Sequence, residues 1–233
     1  MTEKFNFYDF VGYVIPGAFF ISIVYWISYV VLNTPFNISA GLFSTILFLM
    51  LSYFFGHILQ VLGGKIEKRL FNKWGGYFSV TFLKEENDHF SKVFRKKLIE
   101  SIKSEFALPD YREEGIENKI QEYFNLCYSL VVDKGIAIRS EIFIASAALC
   151  RGLLALFYSS IVFMSLLIIY LVIDYISFAA LDKTKLTTSI IIFAFSAICI
   201  IPITRRFKDF SGRFVNSVFR SFYVWSKTKN SKE

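Results

Sequence analysis

Residues 10–64 form a continuous stretch of 55 residues that contains no Asp, Glu, Lys or Arg. The hydrocarbon core of a bilayer is about 30 Å thick, and an α-helix needs roughly 20 apolar residues to cross it. The charge-free stretch is therefore long enough for two crossings and the turn between them. Because hydrophobic residues make up 55% of the whole chain, the sequence predicts an all-α membrane protein.

Four apolar segments are predicted to cross the membrane, at residues 10–32, 41–62, 142–173 and 186–204. The first is expected to be a retained transmembrane helix, because its 23 residues exceed the 7–15 of a signal-peptide core. The predicted regions are two helices in 1–64, a cytoplasmic helical insert in 65–141, two helices in 142–204 and a basic amphipathic tail in 205–233.

Basic residues are distributed unevenly around these spans. Fourteen lie in residues 65–139 and eight lie beyond residue 204, whereas the loops on the opposite side hold none and two. Lysine and arginine are enriched on the cytoplasmic side of membrane proteins. Both termini and the region between spans two and three are therefore predicted to be cytoplasmic. Arg151, at the inner end of span three, is expected to reach the lipid headgroups.

Two amphipathic helices are predicted between spans two and three. The first covers residues 88–107, where apolar residues recur every fourth position from Phe90 to Phe106. The second begins near residue 116, and its apolar residues up to Val131 lie on one side at spacings of three and four. Both patterns are typical of one helix face. We expect these faces to pack together or against a neighbouring subunit. Residues 77–82 are predicted to form a short strand.

The tail carries an apolar stripe with basic residues around it, which predicts a helix lying at the inner membrane surface or packed on a helical partner. The aromatic content of the stripe disfavours binding of duplex nucleic acid. Its residues are Phe207, Phe210, Phe214, Val218, Phe222 and Trp225.

Sequence signatures of catalysis are missing. Two histidines cannot supply a multi-histidine metal site, and three cysteines at wide spacing match neither a disulfide framework nor a CxxC site. The chain has no GxSxG elbow, no Gly-rich phosphate loop with lysine and no GxGxxG after a strand. The sequence predicts no catalytic residues, no metal and no cofactor.

Polar residues inside span two are the most informative, because burying them in lipid is costly. Ser52, Gly56 and Gln60 recur every four residues, and His57 lies beside them. They are predicted pore-lining residues of a water-filled path; the alternative is hydrogen bonding between packed spans. The absence of a carboxylate near mid-membrane disfavours a proton- or sodium-coupled transporter. In span one, Pro16 and Gly17 are predicted to form a hinge.

A basic cluster in the cytoplasmic region is a candidate site for an anionic ligand such as a nucleotide. The alternative is a solvated helix face whose charge is balanced by Glu100 and Glu105. The candidate residues are Arg95, Lys96, Lys97 and Arg112.

The segment Tyr-Asp-Phe-Val-Gly-Tyr-Val-Ile-Pro-Gly, residues 8–17, resembles the amino-terminal segment of small multi-span proteins from bacterial anti-phage defence loci. The layout of two spans, a helical insert and two more spans is similar to membrane effectors of the Hailong type. The resemblance implies a homo-oligomeric channel in the bacterial inner membrane that damages an infected cell. It also implies control by a cyclic or linear nucleotide made by a partner enzyme.

Three functions follow as hypotheses. The first is a symmetric homo-oligomer, most simply a tetramer, that conducts ions when its cytoplasmic helices rearrange; its partners are the bilayer and itself. The second is a non-conducting sensor or scaffold that recruits a cytoplasmic partner through residues 88–131. The third is an enzyme acting on lipid, for which the sequence shows no nucleophile–base pair.

Overall fold

The computed structural model describes residues 10–32, 41–84, 87–106, 116–178 and 182–230. Within these ranges the chain is helical and contains no strand, which confirms the all-α prediction. The helices are α1 Ile15–Leu32, which follows a π-helical turn Phe10–Val14, α2 Leu42–Lys73, α3 Phe78–Thr81, α4 Lys92–Phe106, α5 Ile116–Asp133, α6 Ile138–Phe178 and α7 Lys183–Asn230.

Among the described residues, four helices are long and apolar enough to cross a membrane: α1 with its π-helical turn, α2, α6 and α7. The prediction of four helices that could span a membrane is therefore confirmed. Three of them, α2, α6 and α7, are longer than the predicted spans, and α2 has 32 residues. Helix α6 has 41 residues and α7 has 48 residues, so each extends well beyond the roughly 20 residues that lipid demands.

The described residues form two compact units. The first, here called the membrane unit, lies within Met1–Glu67 and Ala145–Lys208, and the second, here called the helical unit, lies within Lys68–Ile144 and Asp209–Glu233. Helices α2, α6 and α7 each contribute residues to both units. The described residues of the tail therefore lie in the same compact unit as those of the region between spans two and three.

The membrane unit is held by apolar packing supplemented with a few hydroxyl contacts. Val30 of α1 is buried against Met164 and two leucines of α6. Between α6 and α7, the hydroxyls of Ser160 and Ser196 lie 2.9 Å apart. Hydroxyl contacts of this kind satisfy polar groups that lipid cannot hydrate, and they fix the pairing of the helices.

The helical unit has an aromatic core built from α4, α5 and α7. The ring of Phe219 is fully buried, with its centroid 5.5 Å from that of Phe124 and 6.2 Å from that of Phe90. Phe222, also fully buried, stacks on Phe106 at 5.8 Å. The predicted apolar faces of α4 and α5 therefore pack on a helical partner, and that partner is the tail of the same chain.

The predicted strand at residues 77–82 is wrong. This segment contains the single-turn helix α3, Phe78–Thr81. Phe78 and Phe82 are both buried, and their rings stack 5.3 Å apart. Since strand propensity reflects packing on a sheet, and the described residues offer no second strand, the aromatic residues pack as one helical face instead.

Helix α4 begins four residues later than the periodicity predicts, at Lys92. The hydroxyl of Ser91 accepts a hydrogen bond from the backbone N–H of Phe94 at 3.2 Å. This is the bond that an N-cap serine makes to the third helical residue, and it ends the helix there. Phe90 precedes the helix, yet its side chain still joins the core.

Candidate functional site

Three of the four predicted pore-lining residues are buried within the membrane unit of a single chain. Ser52 is fully buried, and its hydroxyl donates to the carbonyl of Phe48 at 2.7 Å. Gly56 is buried and Gln60 is 8% exposed. The face that these residues share on α2 is covered by other helices of the same unit, so their contribution to a pore stays a prediction.

Glycines allow α1 and α2 to approach until their backbones touch. A Cβ atom on Gly17 would lie 1.8 Å from the carbonyl oxygen of Ser52, and one on Gly56 would lie 2.1 Å from that of Tyr13. Neither contact is sterically possible, so both positions need glycine. Gly17 thus serves close packing at this point, whereas its role in a hinge with Pro16 stays a prediction.

Pro16 leaves a backbone carbonyl without its helical partner, and Gln60 supplies the missing donor. In an α-helix the carbonyl of Gly12 would bond to the N–H of residue 16, which proline lacks. The side-chain Nε2 of Gln60 donates to Gly12 O at 2.6 Å and to Ala148 O at 2.8 Å. The amide of α2 therefore joins the π-helical turn to α6.

Arg151 completes this cluster from α6. Its Nε donates to Oε1 of Gln60 at 2.6 Å, and its Nη1 donates to Oε2 of Glu67 at 2.8 Å. The guanidinium therefore bonds to protein groups, rather than extending freely to the headgroups as the sequence suggested. Gly63 makes room for it, since a Cβ there would lie 2.7 Å from Cγ of Arg151.

We call this cluster the Gln60 network, and it joins three elements of the membrane unit. Every hydrogen-bonding atom of the Gln60 amide group is used, because Nε2 donates twice and Oε1 accepts from arginine. Such a cluster provides no nucleophile or proton-transfer pair, and what it does is fix helices against one another. Its members are Gly12, Gln60, Glu67, Ala148 and Arg151.

Gln60 was predicted to be a site residue, but its partners were not. The sequence does indicate that they need partners: a proline four residues after Gly12 leaves the carbonyl of Gly12 without its α-helical donor, and Glu67 and Arg151 each lie close to an end of a charge-free span. What the sequence could not supply is which spans are neighbours. That information comes from the fold.

His57 is placed differently from the other three candidates, because its side chain is exposed on the surface of the membrane unit. Its imidazole stacks on Tyr13, with centroids 4.1 Å apart, and meets the edge of Tyr53 at 4.6 Å. It lies 15 residues after Leu42, about 22 Å along α2. Exposed apolar side chains, such as those of Phe54 and Ile58, flank it.

Three of the four predicted anionic-ligand residues lie in α4, and their side chains differ in exposure. Arg95 is 5% exposed, and its Nη2 donates to the carbonyls of Phe90, at 3.1 Å, and Asn87. Lys96 and Lys97 are exposed. Arg112 lies outside the described residues. Arg95 thus holds the backbone before α4, which leaves an anionic-ligand role for the lysines as a prediction.

The helical unit contains an open groove of about 300 Å³ lined by Phe94, Arg220, Tyr223 and Val224. The rings of Phe94 and Tyr223 meet edge to face at 5.1 Å. The groove was not predicted from the sequence, which indicated only the apolar stripe of this helix and its basic flanks.

Partial burial and the positive charge of Arg220 hold the pKa of His89 below its usual range.

Among the described residues, no group of three or more His, Cys, Asp or Glu side chains is placed to hold a metal ion. Burial raises the pKa of the Cys127 thiol well above its usual range, so at neutral pH it is a protonated apolar filler of the α5 face.

Comparison with protein-family models, with curated proteins and with solved structures finds no match.

Proposed function

We propose that this chain forms a homo-oligomeric ion channel, and the observation that carries the proposal is the exposed imidazole of His57 in a membrane-spanning helix. Lipid cannot satisfy an imidazole N–H, and ionisable residues within spans face a protein interior or a water-filled cavity. In a single chain His57 faces neither. A surface shared with other copies, or water on a symmetry axis, would supply the missing environment.

Four spans are too few to enclose a wide pore, so the proposed path lies on the axis of a closed ring of subunits, most simply a tetramer. Burial of Ser52, Gly56 and Gln60 inside each subunit restricts the residues that could face such a path. On α2 this leaves His57 and its neighbour Tyr53 as the polar candidates at that depth.

Gating by the helical unit is supported by the continuity of three helices. Helices α2, α6 and α7 contribute residues to both units without a break. A continuous helix transmits a rotation or a shift along its axis, because each turn is hydrogen-bonded to the next. A rearrangement among α4, α5 and the tail would therefore displace the spans themselves.

The rival function is a non-conducting scaffold that recruits a cytoplasmic partner through residues 88–131. In the structure Phe124 of this region packs on Phe214 and Phe219 of α7, so a partner would contact other side chains of the region. The groove lined by Phe94, Arg220 and Tyr223 includes a residue of this region and would offer a scaffold a binding surface.

The proposed setting is the inner membrane of a bacterium, with both termini and the helical unit in the cytoplasm. The distribution of Lys and Arg supports the orientation. There an open channel would dissipate the membrane potential, which suits an effector of anti-phage defence, and the trigger would be a nucleotide signal from a partner enzyme.

Planar-bilayer recording of the purified full-length protein tests the proposal. We expect discrete conductance steps, a changed unitary conductance in His57→Phe, and unchanged conductance in the control Phe54→Leu, which alters an exposed apolar neighbour on α2. If the protein does not conduct at any voltage, even when nucleotides are added on the proposed cytoplasmic side, the channel proposal is contradicted. Equal conductance in wild type and His57→Phe would remove His57 from the path.

A further inference from the structure

We infer that Arg151 is a positioning residue for gating. Acting through Gln60, it keeps the first turn of span one in its π-helical form until α2 and α6 move apart. The inference rests on the proposed channel function and names the contact that regulates it. It does not depend on the pore-lining role proposed for His57, since the groups involved contact one another within a single subunit.

The place of Glu67 and Arg151 in the chain makes their ion pair sensitive to the helical unit. Glu67 is the final residue that α2 contributes to the membrane unit, and Arg151 lies within two turns of the point where α6 enters it. Their N–O distance is 2.8 Å. A turn or shift of α2 or α6 at this end of the membrane unit would act on the ion pair.

Arg151 orients the Gln60 amide by fixing one end of it. Because Arg151 Nε bonds to Oε1, the opposite end of the amide, Nε2, is directed at Gly12 O and Ala148 O. A freed side chain could rotate, and an amide rotated by half a turn would present oxygen to these two carbonyl oxygens, which repels them. The hydrogen bond from Arg151 therefore determines whether the Gln60 amide can donate to the carbonyl of Gly12 in span one.

Release of Gln60 leaves Gly12 O with no α-helical donor, because residue 16 is proline. The turn Phe10–Val14 is already wound as a π-helix, a form that is rare and concentrated at functional positions. It would have to rewind or take up water to satisfy that carbonyl. Span one thus has two arrangements of its first turn, and the Gln60 network selects one.

Tight packing restricts where the movement can occur. A Cβ on Gly152 would lie 2.8 Å from Cγ of Pro16 and 2.9 Å from Nε2 of Gln60. Displacement of α6 by a fraction of an ångström therefore reaches Pro16 and Gln60 together. Movement of α6 is transmitted to span one because no free space separates Gly152 from Pro16 and Gln60.

Hydrogen–deuterium exchange of the purified full-length protein, read on peptides covering residues 10–15, tests the inference without requiring conduction. We expect Arg151→Met and Gln60→Leu each to speed exchange there roughly fivefold, the factor expected for losing one hydrogen bond of ordinary net strength. The matched control is Lys65→Gln, which removes an exposed charge on α2.

Two further readouts separate positioning from general stabilisation. If Arg151 acts through Gln60, adding Arg151→Met to Gln60→Leu produces no further increase in exchange at residues 10–15. In bilayers, Arg151→Met and Glu67→Gln should both raise the open probability in the absence of any trigger, whereas Lys65→Gln should not.

Unchanged exchange at residues 10–15 in folded Arg151→Met overturns the inference, and so does a full additional increase in the double variant. If the wild type conducts and Arg151→Met leaves the open probability unchanged, the contact is not a gate. If no variant conducts, the proposed function fails; faster exchange in the single variants would then still support a contact that holds the turn.

Discussion

The pairing of Pro16 with Gln60 predicts energetic coupling between two residues on different helices that share one carbonyl. Gln60→Leu removes the donor to Gly12 O, which lies 2.6 Å from Nε2. Pro16→Ala restores a backbone N–H that can reach the same oxygen in an α-helical turn. The cost of Gln60→Leu should therefore be smaller when residue 16 is alanine.

The magnitude follows from the bonds involved. Gln60→Leu removes three hydrogen bonds, two donated and one accepted. Net values are about 1 kcal/mol per bond in soluble proteins and average about 0.6 kcal/mol between membrane helices. We expect a destabilisation of about 2–3 kcal/mol in the wild-type background. One bond of the three is replaced in the Pro16→Ala background, so the coupling should be about 0.5–1.5 kcal/mol.

The assay is a double-mutant cycle on the free energy of unfolding in mixed micelles. The cycle cancels the packing loss that Pro16→Ala causes beside Gly152, because that loss is present in both members of a pair. Ser160→Ala, in a separate hydroxyl contact with Ser196, is the control and should be additive with Pro16→Ala. Coupling of Pro16 and Gln60 below about 0.3 kcal/mol, the error of additivity for distant sites, would refute the reasoning.

Two other predictions concern packing and protonation. Gly17→Ala should destabilise the protein by at least about 3 kcal/mol, since its Cβ would meet a backbone oxygen at 1.8 Å. The control Gly64→Ala has no atom within 4 Å of its Cβ, so it should be neutral or stabilise the protein by up to about 1 kcal/mol. Chemical unfolding measures both free energies. By NMR titration, with His57→Gln to assign the two signals, the pKa of His89 should lie below its ordinary value of about 6.5 because of desolvation and then Arg220. Arg220→Gln should raise that pKa part of the way, and an unchanged value would exclude the charge effect. Because the unfolded chain then binds the proton more readily, stability should fall as the pH drops below about 6.5.

Membrane spans could be predicted from the sequence because lipid imposes a length and a composition on each helix separately. The spans that begin near Phe10 and Leu42 need no knowledge of their neighbours. The amphipathic faces around Leu98 and Cys127 were predictable for the same reason, since periodicity is a property of one helix. Both residues are fully buried in the structure.

Contacts between distant segments were not predictable in this way. Phe214 and Phe222 were predicted to belong to a stripe for lipid or a helical partner, because nothing in the tail specifies that Phe124 and Phe106 lie opposite them. The strand prediction failed at Phe78 for a related reason: a short run of aromatic residues fits a strand or a helical turn equally well until its neighbours are known.

Within the candidate site, the residue type was predictable and the partner was not. Gln60 stood out because a buried amide in a membrane span needs hydrogen bonds. Whether those bonds go to water, as in a pore, or to protein depends on the helix beside it. In the structure they go to Gly12, Ala148 and Arg151.

The construction of the helical unit has a consequence for its biogenesis. Its aromatic core needs Phe219 and Phe222 of α7, which are synthesised about ninety residues after Val131 of α5. At about 5–20 residues per second, a ribosome needs roughly 5–20 s to cover that interval. During this time the finished α4 and α5 carry uncovered apolar faces while α6 and α7 are being inserted. Chaperone protection of the nascent chain should matter most in that interval.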